Sequence, residues 1–586
     1  MPKNNKKQKT PHTKNLRLFE NILISIFFLF VFFFTLIKIS GDDDIFWHLE
    51  TGRYIAENKT VPSSDVFGFA SYGMEWIPFE WGWDVISYLL FSVFGYSGIS
   101  VLRILIFLAV FFLYFRLVSR LRLNVLIASF LFILLLVGMM DRLITKPQII
   151  SYLFFSALIY IFISLQTFNR EKINTLYLLP LIFLIWCNMH MGVLAGTGIF
   201  TIFVLSELAI YLKPENFRPS SKPLPKNDFT KLVIIYVLCL IVLLANPHGF
   251  KTYVYVYSHL NMKMLEDVFE WYSPFNKAFS GTIYQYLYFF FLVTALIVIY
   301  YSCKTKNLFI GLASLVILVF SVTSSRYTID FMLIISILAV ISLSRLINLS
   351  RLENFRTSHL VLSVLLLFFI ISIPNNNLYR YINYRRSFGF GISSSDYPVK
   401  LFDFIEANNI QNIGSRPFNS FNSGGYFIWK FNGTRNFIDS RNIDDKIYYD
   451  YQAINNKLAG FEKKIDEFGF DYFIWFYPGL VNNSIELQTS VTSYLINNSQ
   501  NWKLIYWDDQ SMLFVRNEDK FRDLISRYEY RFVNPLYYIY QREPLKKALT
   551  ENKDIVIREI QRKYKDEPDG SFINSMVHSF KVTVTR

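Results

Sequence analysis

Long runs of apolar residues, separated by short polar segments, dominate the chain up to residue 374. The first run covers residues 18–40. About 20 helical residues, rising about 1.5 Å each, cross a hydrocarbon core about 30 Å thick. This run is too long for the apolar core of a signal peptide, and no small-residue cleavage site follows it. It therefore predicts a first transmembrane helix.

Ten further apolar runs predict ten more transmembrane helices, which gives eleven in total. They cover residues 98–117, 123–140, 149–165, 174–189, 192–212, 231–246, 282–301, 307–323, 330–345 and 358–374. Residues 82–96 are also apolar, but Asp84 and a turn between Gly95 and Gly98 interrupt them. We therefore expect this segment to be an amphipathic helix at the outer interface.

The distribution of charge predicts the topology. Residues 1–17 are basic, which favours a cytoplasmic N-terminus. Eleven spans then leave five loops inside, at 116–123, 166–173, 213–230, 302–306 and 345–357. Every one of these loops contains Lys or Arg, as the positive-inside rule requires. Counting 82–96 as a span would invert all later loops and break this agreement.

Composition excludes several classes of protein. Of 586 residues, 53% are hydrophobic and only 18% are charged, whereas a soluble domain is about 25% charged. An ordinary soluble enzyme and a disordered chain are therefore excluded. Three cysteines cannot form a disulfide scaffold. Much of the net charge of +14 lies beside predicted spans, which is typical of membrane topology rather than of nucleic-acid binding.

The region after residue 375 is polar and has no long apolar run. Short strand-like segments are predicted at 425–431, 436–439, 471–476, 503–507 and 512–515, with helices at 401–408 and 449–468. Four domains are expected: a cytoplasmic tail 1–17, a transmembrane domain 18–374 with a first outer loop 41–97, an α/β domain 375–517, and a helical tail 518–586. The predicted fold class is thus an α-helical polytopic membrane protein with an extracytoplasmic α/β domain.

The predicted outer loops place carboxylates, cations and imidazoles at one membrane face, as a site for a lipid-linked polar substrate requires. The candidates are Asp42, Asp43, Asp44, His48, Arg53, Glu75, Glu80, Arg142, Lys146, Gln148, His190, His248 and Arg326. A carboxylate can take a proton from an acceptor hydroxyl, and neighbouring acids can hold a divalent cation against phosphate. Arginine and lysine can neutralise a departing phosphate.

These candidates also have structural interpretations, which the sequence leaves open. Residues 42–44 could simply end the first helix, because an Asp at mid-bilayer costs roughly 2.5–3.5 kcal/mol. Arg142 and Lys146 could anchor a helix end at the interface. Arg326 could form a structural ion pair with Asp330.

Other motifs give weaker signals. His190 and His248 are more typical of hydrogen-bonded helix ends than of metal ligands. The segments NSFNSGGY at 419–426 and FIDSR at 437–441 are rich in turn residues; loops of this kind often bind ligands, although turn formation is the simpler explanation. No HExxH, GxSxG, CxxC or P-loop motif occurs, so metalloprotease, serine hydrolase and ATPase functions have no support.

The order of these features resembles the GT-C superfamily of polytopic glycosyltransferases, which have a short acidic motif in a long first outer loop. A closer likeness is to a group of bacterial membrane proteins with the pattern D-x-WHL-x-TG-x-YI, then P-x-x-D-x-F, then W-x-x-x-E-W. This chain carries the second and third patterns at 62–67 and 76–81, and the first at 44–55 with two residues rather than one between Asp44 and Trp47. The likeness extends over about residues 15–520 and includes KPQ at 146–148, NPHG at 246–249, GGY at 424–426 and FID at 437–439.

The resemblance implies an inverting transfer from a polyprenyl-phosphate sugar to a glycan, lipid or protein acceptor, in the bacterial inner membrane. Asp42 or Asp44 would be the base, with Glu75 or Glu80 as second carboxylate. Arg142, Lys146 and Arg326 would hold phosphate. The remaining candidates would bind substrate: Asp43, His48, Arg53, Gln148, His190 and His248. Mg²⁺ or Mn²⁺ could assist, since phosphate and carboxylates are hard ligands, but Arg and Lys could do the same work.

Two departures and two alternatives accompany this interpretation. The WWDYG motif of oligosaccharyltransferase catalytic subunits is absent, which argues against en bloc transfer to Asn. The acidic motif is a run of three Asp, so the sequence does not identify the base. A transporter or flippase of a lipid-linked glycan is the first alternative, although transporters concentrate charge near the midplane. A non-enzymatic envelope-assembly protein is the second.

Overall fold

The computed structural model describes residues 11–41, 43–168, 173–213, 224–347 and 356–583. Asp42, most of the predicted basic tail and parts of three predicted inner loops lie outside these ranges. The chain forms two compact units. The helical unit comprises 1–39, 79–261 and 265–391, and the sheet unit comprises 40–78, 262–264 and 392–586. By its contacts the segment 40–78 therefore belongs with the C-terminal region; the predicted domain bounds stay predictions.

The helical unit contains six helices that are long and apolar enough to cross a membrane. Their apolar stretches are Leu16–Thr35, Trp81–Leu121, Gln148–Phe168, Val193–Leu212, Ile283–Thr305 and Ser325–Leu346. Four shorter apolar helices are Val125–Gly138, Ile173–Cys187, Leu308–Thr323 and Arg356–Ser372. A further helix, Lys226–Val242, covers the remaining predicted span. The protein is thus a multi-pass membrane protein, and the number of crossings stays a prediction.

Local capping explains where several of these helices begin. Asn124, Thr282 and Asn307 each accept a hydrogen bond from the amide three residues further on. Such side chains satisfy one of the amides that a helix leaves unpaired at its start. Gly95 breaks the helix Trp81–Leu121 with φ 58° and ψ −154°, a conformation open to glycine. The predicted interruption is confirmed at Gly95 but is wrong at Asp84, which lies within the helix, and the interfacial position of 82–96 stays a prediction.

Aromatic packing holds the core of the helical unit together. Phe27 of the first helix lies edge-on to Phe111 and Phe115, with ring centroids 5.2 and 5.1 Å apart. Phe132 contacts the same Phe115 ring at 5.3 Å. All four rings are buried, and edge-to-face pairs add about 0.5–1.5 kcal/mol each beyond their buried area.

The sheet unit is built on four strands. They are β1 (Pro417–Asn419), β2 (Tyr472–Phe476), β3 (Trp502–Trp507) and β4 (Ser511–Arg516). The order across the sheet is β1-β2-β4-β3, with β1 parallel to β2 and the other pairs antiparallel. Three of these strands match predicted ones, while β1 was not predicted.

Two predicted strands are wrong. Residues 425–431 form the helix Gly424–Lys430, and 436–439 contribute only an isolated bridge from Asn436 to Gly68. The predicted helix 449–468 is two helices, Asp445–Asn455 and Phe461–Phe468, because Gly460 lies between them with a left-handed φ of 81°.

Helices cover the rest of the sheet unit. The main ones are Asp44–Asn58, Val399–Ala407, Val491–Asn497, Arg522–Tyr528, Arg542–Glu551, Lys553–Asp566 and Ser571–Phe580. The C-terminal helices share one hydrophobic core with the sheet, in which Ile560 and Met576 are buried alongside Trp502 and Phe514. The predicted helical tail therefore packs with the sheet rather than standing apart.

Candidate functional site

The described part of the acidic motif consists of Asp43 and Asp44, in the sheet unit. Asp43 is buried and precedes the helix Asp44–Asn58. Its two carboxylate oxygens accept the amides of Gly425, at 2.5 Å, and Tyr426, at 2.9 Å. These amides open the helix Gly424–Lys430, so Asp43 caps that helix from a distant part of the chain. Burial raises the pKa of Asp43 well above its ordinary value, and the two amide hydrogen bonds oppose that rise.

The two glycines at 424 and 425 are required by this close approach. A Cβ on Gly425 would lie 2.6 Å from Asp43 Oδ2 and 2.7 Å from the Asp43 carbonyl oxygen. A Cβ on Gly424 would lie 2.0 Å from the carbonyl oxygen of Ile438. The absence of a side chain at Gly425 therefore lets Asp43 reach this helix, and its absence at Gly424 lets the backbone of Ile438 come close.

Asp44 differs from Asp43 in its partners and exposure. It is partly exposed, and its Oδ1 accepts hydrogen bonds from the indole of Trp47, at 3.2 Å, and from the hydroxyl of Ser440. Asp44 is therefore the member of the described acidic motif whose carboxylate is held in place and is also partly exposed.

A buried ion network lies in the same unit. The guanidinium of Arg441 donates to Asp439 at 2.7 and 2.8 Å and to Asp65 at 2.6 Å. The same guanidinium lies over the rings of Phe67 and Trp76 at 5.2 and 4.8 Å. Although burial would lower the pKa of Arg441, the two carboxylates hold it above its ordinary value. The patterns P-x-x-D-x-F and FIDSR contain Asp65, Asp439 and Arg441, so the motifs signalled residues that were not predicted as site residues.

Glu50 and Arg53 form a second ion pair, with the Arg53 guanidinium 2.5 Å from Glu50 Oε1. Arg53 also donates to the side chain of Asn432 at 2.5 Å. Burial raises the pKa of Glu50 to about 7, although Arg53 works against it. His48 is buried, with its ring centroid 3.6 Å from that of Trp47. Glu75 is exposed and bridges to Ser64 through the backbone.

Ligands for a metal ion do not come together in the described ranges. No group of three His, Cys, Asp or Glu side chains there could hold an ion, and Asp43 already uses both oxygens for amides. The described residues therefore do not form a site that fits Mg²⁺ or Mn²⁺. Metal dependence stays a prediction.

The helical unit contains a cationic cluster, which we define as Arg142, Lys146 and Arg326. Glu270 lies at its centre: its Oε1 is 2.5 Å from Arg142 and 3.2 Å from Lys146. Burial alone would raise the pKa of Glu270, but the three cations hold it well below its usual range. Glu270 was not predicted as a site residue; its position beside Trp271 at the end of a predicted outer loop is the only signal in the sequence.

The rest of the chain around Glu270 fixes its position. The hydroxyls of Ser324 and Ser325 donate to the Glu270 carbonyl at 3.1 and 2.9 Å. Arg326 lies over the ring of Trp271 at 5.0 Å, and its charge acts on both Glu270 and Asp330. Arg326 thus acts electrostatically on two carboxylates, and its predicted ion pair with Asp330 stays a prediction.

The other predicted site residues of the helical unit have surroundings different from those of Glu270. Glu80 Oε1 is 3.7 Å from His190 Nε2, while His190 Nδ1 is 2.7 Å from the hydroxyl of Ser151. Gln148 is buried at the start of its helix. His248 donates its amide to Asn246 at 3.1 Å in the NPHG turn, so its backbone is part of a structural turn.

The predicted site residues therefore divide between the two units. The sheet unit holds Asp43, Asp44, His48, Arg53 and Glu75, and the helical unit holds Glu80, Arg142, Lys146, Gln148, His190, His248 and Arg326. Asp42 lies outside the described residues. The structure brings Asp43 and Asp44 together with the GGY and FIDSR motifs, and brings the three predicted phosphate-binding cations together around Glu270.

Comparison with known proteins gives structural neighbours only. No protein-family model and no curated protein matches the chain. The Archaeoglobus fulgidus oligosaccharyltransferase, tethered to an acceptor peptide containing the NVT sequon, is 11% identical with a TM-score of 0.50, and covers 87% of this chain and 74% of its own. AglB from the same organism, in complex with an inhibitory peptide and a dolichol-phosphate, has 11% identity, a TM-score of 0.51, and coverage of 83% and 72%.

A third structure is ArnT from Cupriavidus metallidurans bound to undecaprenyl phosphate, with 11% identity, a TM-score of 0.43, and coverage of 87% and 99%. Identity at this level shows the fold alone. This chain therefore shares the fold of the archaeal oligosaccharyltransferase, and the predicted fold class, an α-helical polytopic membrane protein with a small C-terminal sheet, is confirmed.

Proposed function

We propose that this protein is a membrane glycosyltransferase that moves a sugar from a polyprenyl-phosphate donor to an acceptor at the extracytoplasmic face of a bacterial inner membrane. The observation that carries the proposal is the shared fold with the archaeal oligosaccharyltransferase, one structure of which holds a dolichol-phosphate. Two groups of residues support it, the cationic cluster in the helical unit and the acidic motif in the sheet unit.

The cationic cluster suits the donor phosphate. Arg142, Lys146 and Arg326 place three cations around the single carboxylate of Glu270. Arg142 and Lys146 are largely buried, with side chains 11% and 14% exposed, and charges act more strongly there than in water. When the glycosidic bond breaks, negative charge grows on the leaving phosphate. Preorganised cations stabilise that charge in the transition state.

Asp44 suits the role of general base. Its carboxylate is fixed by Ser440 and Trp47, and a fixed carboxylate can take the proton of an acceptor hydroxyl as the new bond forms. A single displacement of this kind inverts the anomeric carbon. Asp43 suits a structural role better, because both of its oxygens bind backbone amides.

The test uses purified protein with radiolabelled polyprenyl-phosphate sugars and a membrane extract as the source of acceptor. The variants are Asp44→Asn and Asp42→Asn, with Asp403→Asn as matched control, since Asp403 is 58% exposed and pairs with Lys430. We expect wild type and control to move label from the lipid to the acceptor, and folded Asp44→Asn to lose at least 100-fold in rate. No loss of label from any donor with wild type would overturn the proposal, and loss with Asp42→Asn alone would move the base to Asp42.

A further inference from the structure

We propose that a recess of the sheet unit binds a neutral sugar residue of the acceptor. The inference rests on the proposed glycosyl transfer and deepens it by naming the class of acceptor as a glycan. The recess is open to solvent and is lined by Ser71, Asn436, Asn442, Asp444, Ile447 and Tyr448 together with four residues of the FIDSR motif, Phe437, Ile438, Asp439 and Arg441.

The charge of the recess disfavours an anionic ligand. Arg441 is the cation of its lining, and its charge is already paired with two carboxylates, since Asp439 and Asp65 accept three of its guanidinium N–H donors. Asp444 adds a further carboxylate, whose Oδ1 accepts a hydrogen bond from the amide of Ile447 at 3.0 Å. A phosphate or carboxylate would therefore meet acidic groups and no available cation in this lining, whereas an uncharged ligand meets no such repulsion.

Two side-chain carbonyls in the recess call for a ligand that donates hydrogen bonds. Oδ1 of Asn436 and Oδ1 of Asn442 are both buried, and neither has a hydrogen-bond donor among the described residues. A buried acceptor left without a donor costs about 1–3 kcal/mol. Hydroxyl groups of a sugar supply such donors, and the apolar C–H face of the same ring suits contact with Ile447 and Tyr448.

The position of the recess favours the acceptor over the donor. Ser440 lies within the FIDSR motif, between the recess residues Asp439 and Arg441, and its hydroxyl donates to Asp44. Ser440 therefore connects the segment that lines the recess to the proposed base. A base is needed next to the acceptor hydroxyl, since the donor contributes the leaving phosphate.

The test measures binding without requiring turnover. Full-length protein in detergent is titrated with methyl glycosides of glucose, galactose, mannose and N-acetylglucosamine, and with a short peptide containing Asn-Val-Thr. The variant is Asn442→Gly, which removes the carbonyl and suits the left-handed φ of 54° at this position. Asn409→Gly is the matched control, because Asn409 has the same φ of 54° and is exposed in the same unit.

We expect at least one glycoside to bind wild type and Asn409→Gly equally, and to bind Asn442→Gly about three- to tenfold more weakly at unchanged thermal stability. Equal glycoside binding by Asn442→Gly, binding of no glycoside, or Asn442-dependent binding of the peptide alone would overturn the inference. Donor turnover is measured separately. Glycoside binding without turnover contradicts the proposed function, and turnover without glycoside binding contradicts only the recess.

Discussion

Gly425 donates its amide to Oδ2 of Asp43, a hydrogen bond between residues 382 positions apart in the chain. It joins the acidic motif of the first predicted outer loop to the GGY motif of the C-terminal region. Both motifs are visible in the sequence, but neither indicates its partner. The bond gives Asp43 a structural task and leaves the chemistry of the described motif to Asp44.

Asp43→Ala is expected to destabilise the protein by about 2–4 kcal/mol, because two buried hydrogen bonds are lost and two buried amides are left unpaired. Thermal unfolding in detergent measures this loss. Asp44→Asn should unfold close to the wild-type temperature and lose transfer activity instead. A stable Asp43→Ala protein with no activity would reverse these two assignments.

Gly425→Ala is expected to weaken folding of the sheet unit, because the new Cβ would approach Asp43 Oδ2 to 2.6 Å. Gly198→Ala is the matched control, since no atom lies within 4 Å of a Cβ built there and the residue sits inside the helix Val193–Leu212. The control should be neutral or slightly stabilising, as alanine favours helix over glycine. Comparable unfolding temperatures for the two variants would show that Asp43 can move away from the new Cβ without a loss in the free energy of unfolding.

The sequence predicts the membrane part of this fold better than the sheet unit. Transmembrane helices follow from local runs of apolar residues, and the break at Gly95 follows from the backbone freedom of glycine. Both can therefore be predicted from a single segment of sequence. Residues 425–431 have the apolar content of a strand, yet form a helix whose first amides are capped by Asp43. Glu270 escaped prediction for the same reason, since its ion pairs with Arg142 and Lys146 span 128 and 124 positions.

Arg142→Ala is expected to weaken use of the lipid-phosphate donor by about 10- to 100-fold in kcat/KM, because a buried cation facing developing phosphate charge is removed. Arg120→Ala is the control, as Arg120 belongs to a predicted inner loop and donates to Tyr160 at 3.1 Å. Steady-state kinetics over a range of donor concentrations provide the measurement. Equal losses in both variants would indicate general damage to the fold rather than a phosphate site.

Glu50 gives a prediction about pH. Its pKa is raised from 4.5 to about 7 in the folded protein, so the folded state binds its proton more tightly than the unfolded state does. The stability from this proton is complete below pH 4.5 and is lost as pH rises through 7, a loss of up to about 3 kcal/mol. Unfolding temperatures measured between pH 4.5 and 8 should therefore fall more steeply for wild type than for Glu50→Gln, which stays neutral throughout. Glu467→Gln, at a side chain 56% exposed, should keep the wild-type slope. Parallel curves for wild type and Glu50→Gln would mean that the ion pair with Arg53 keeps Glu50 charged in the folded state.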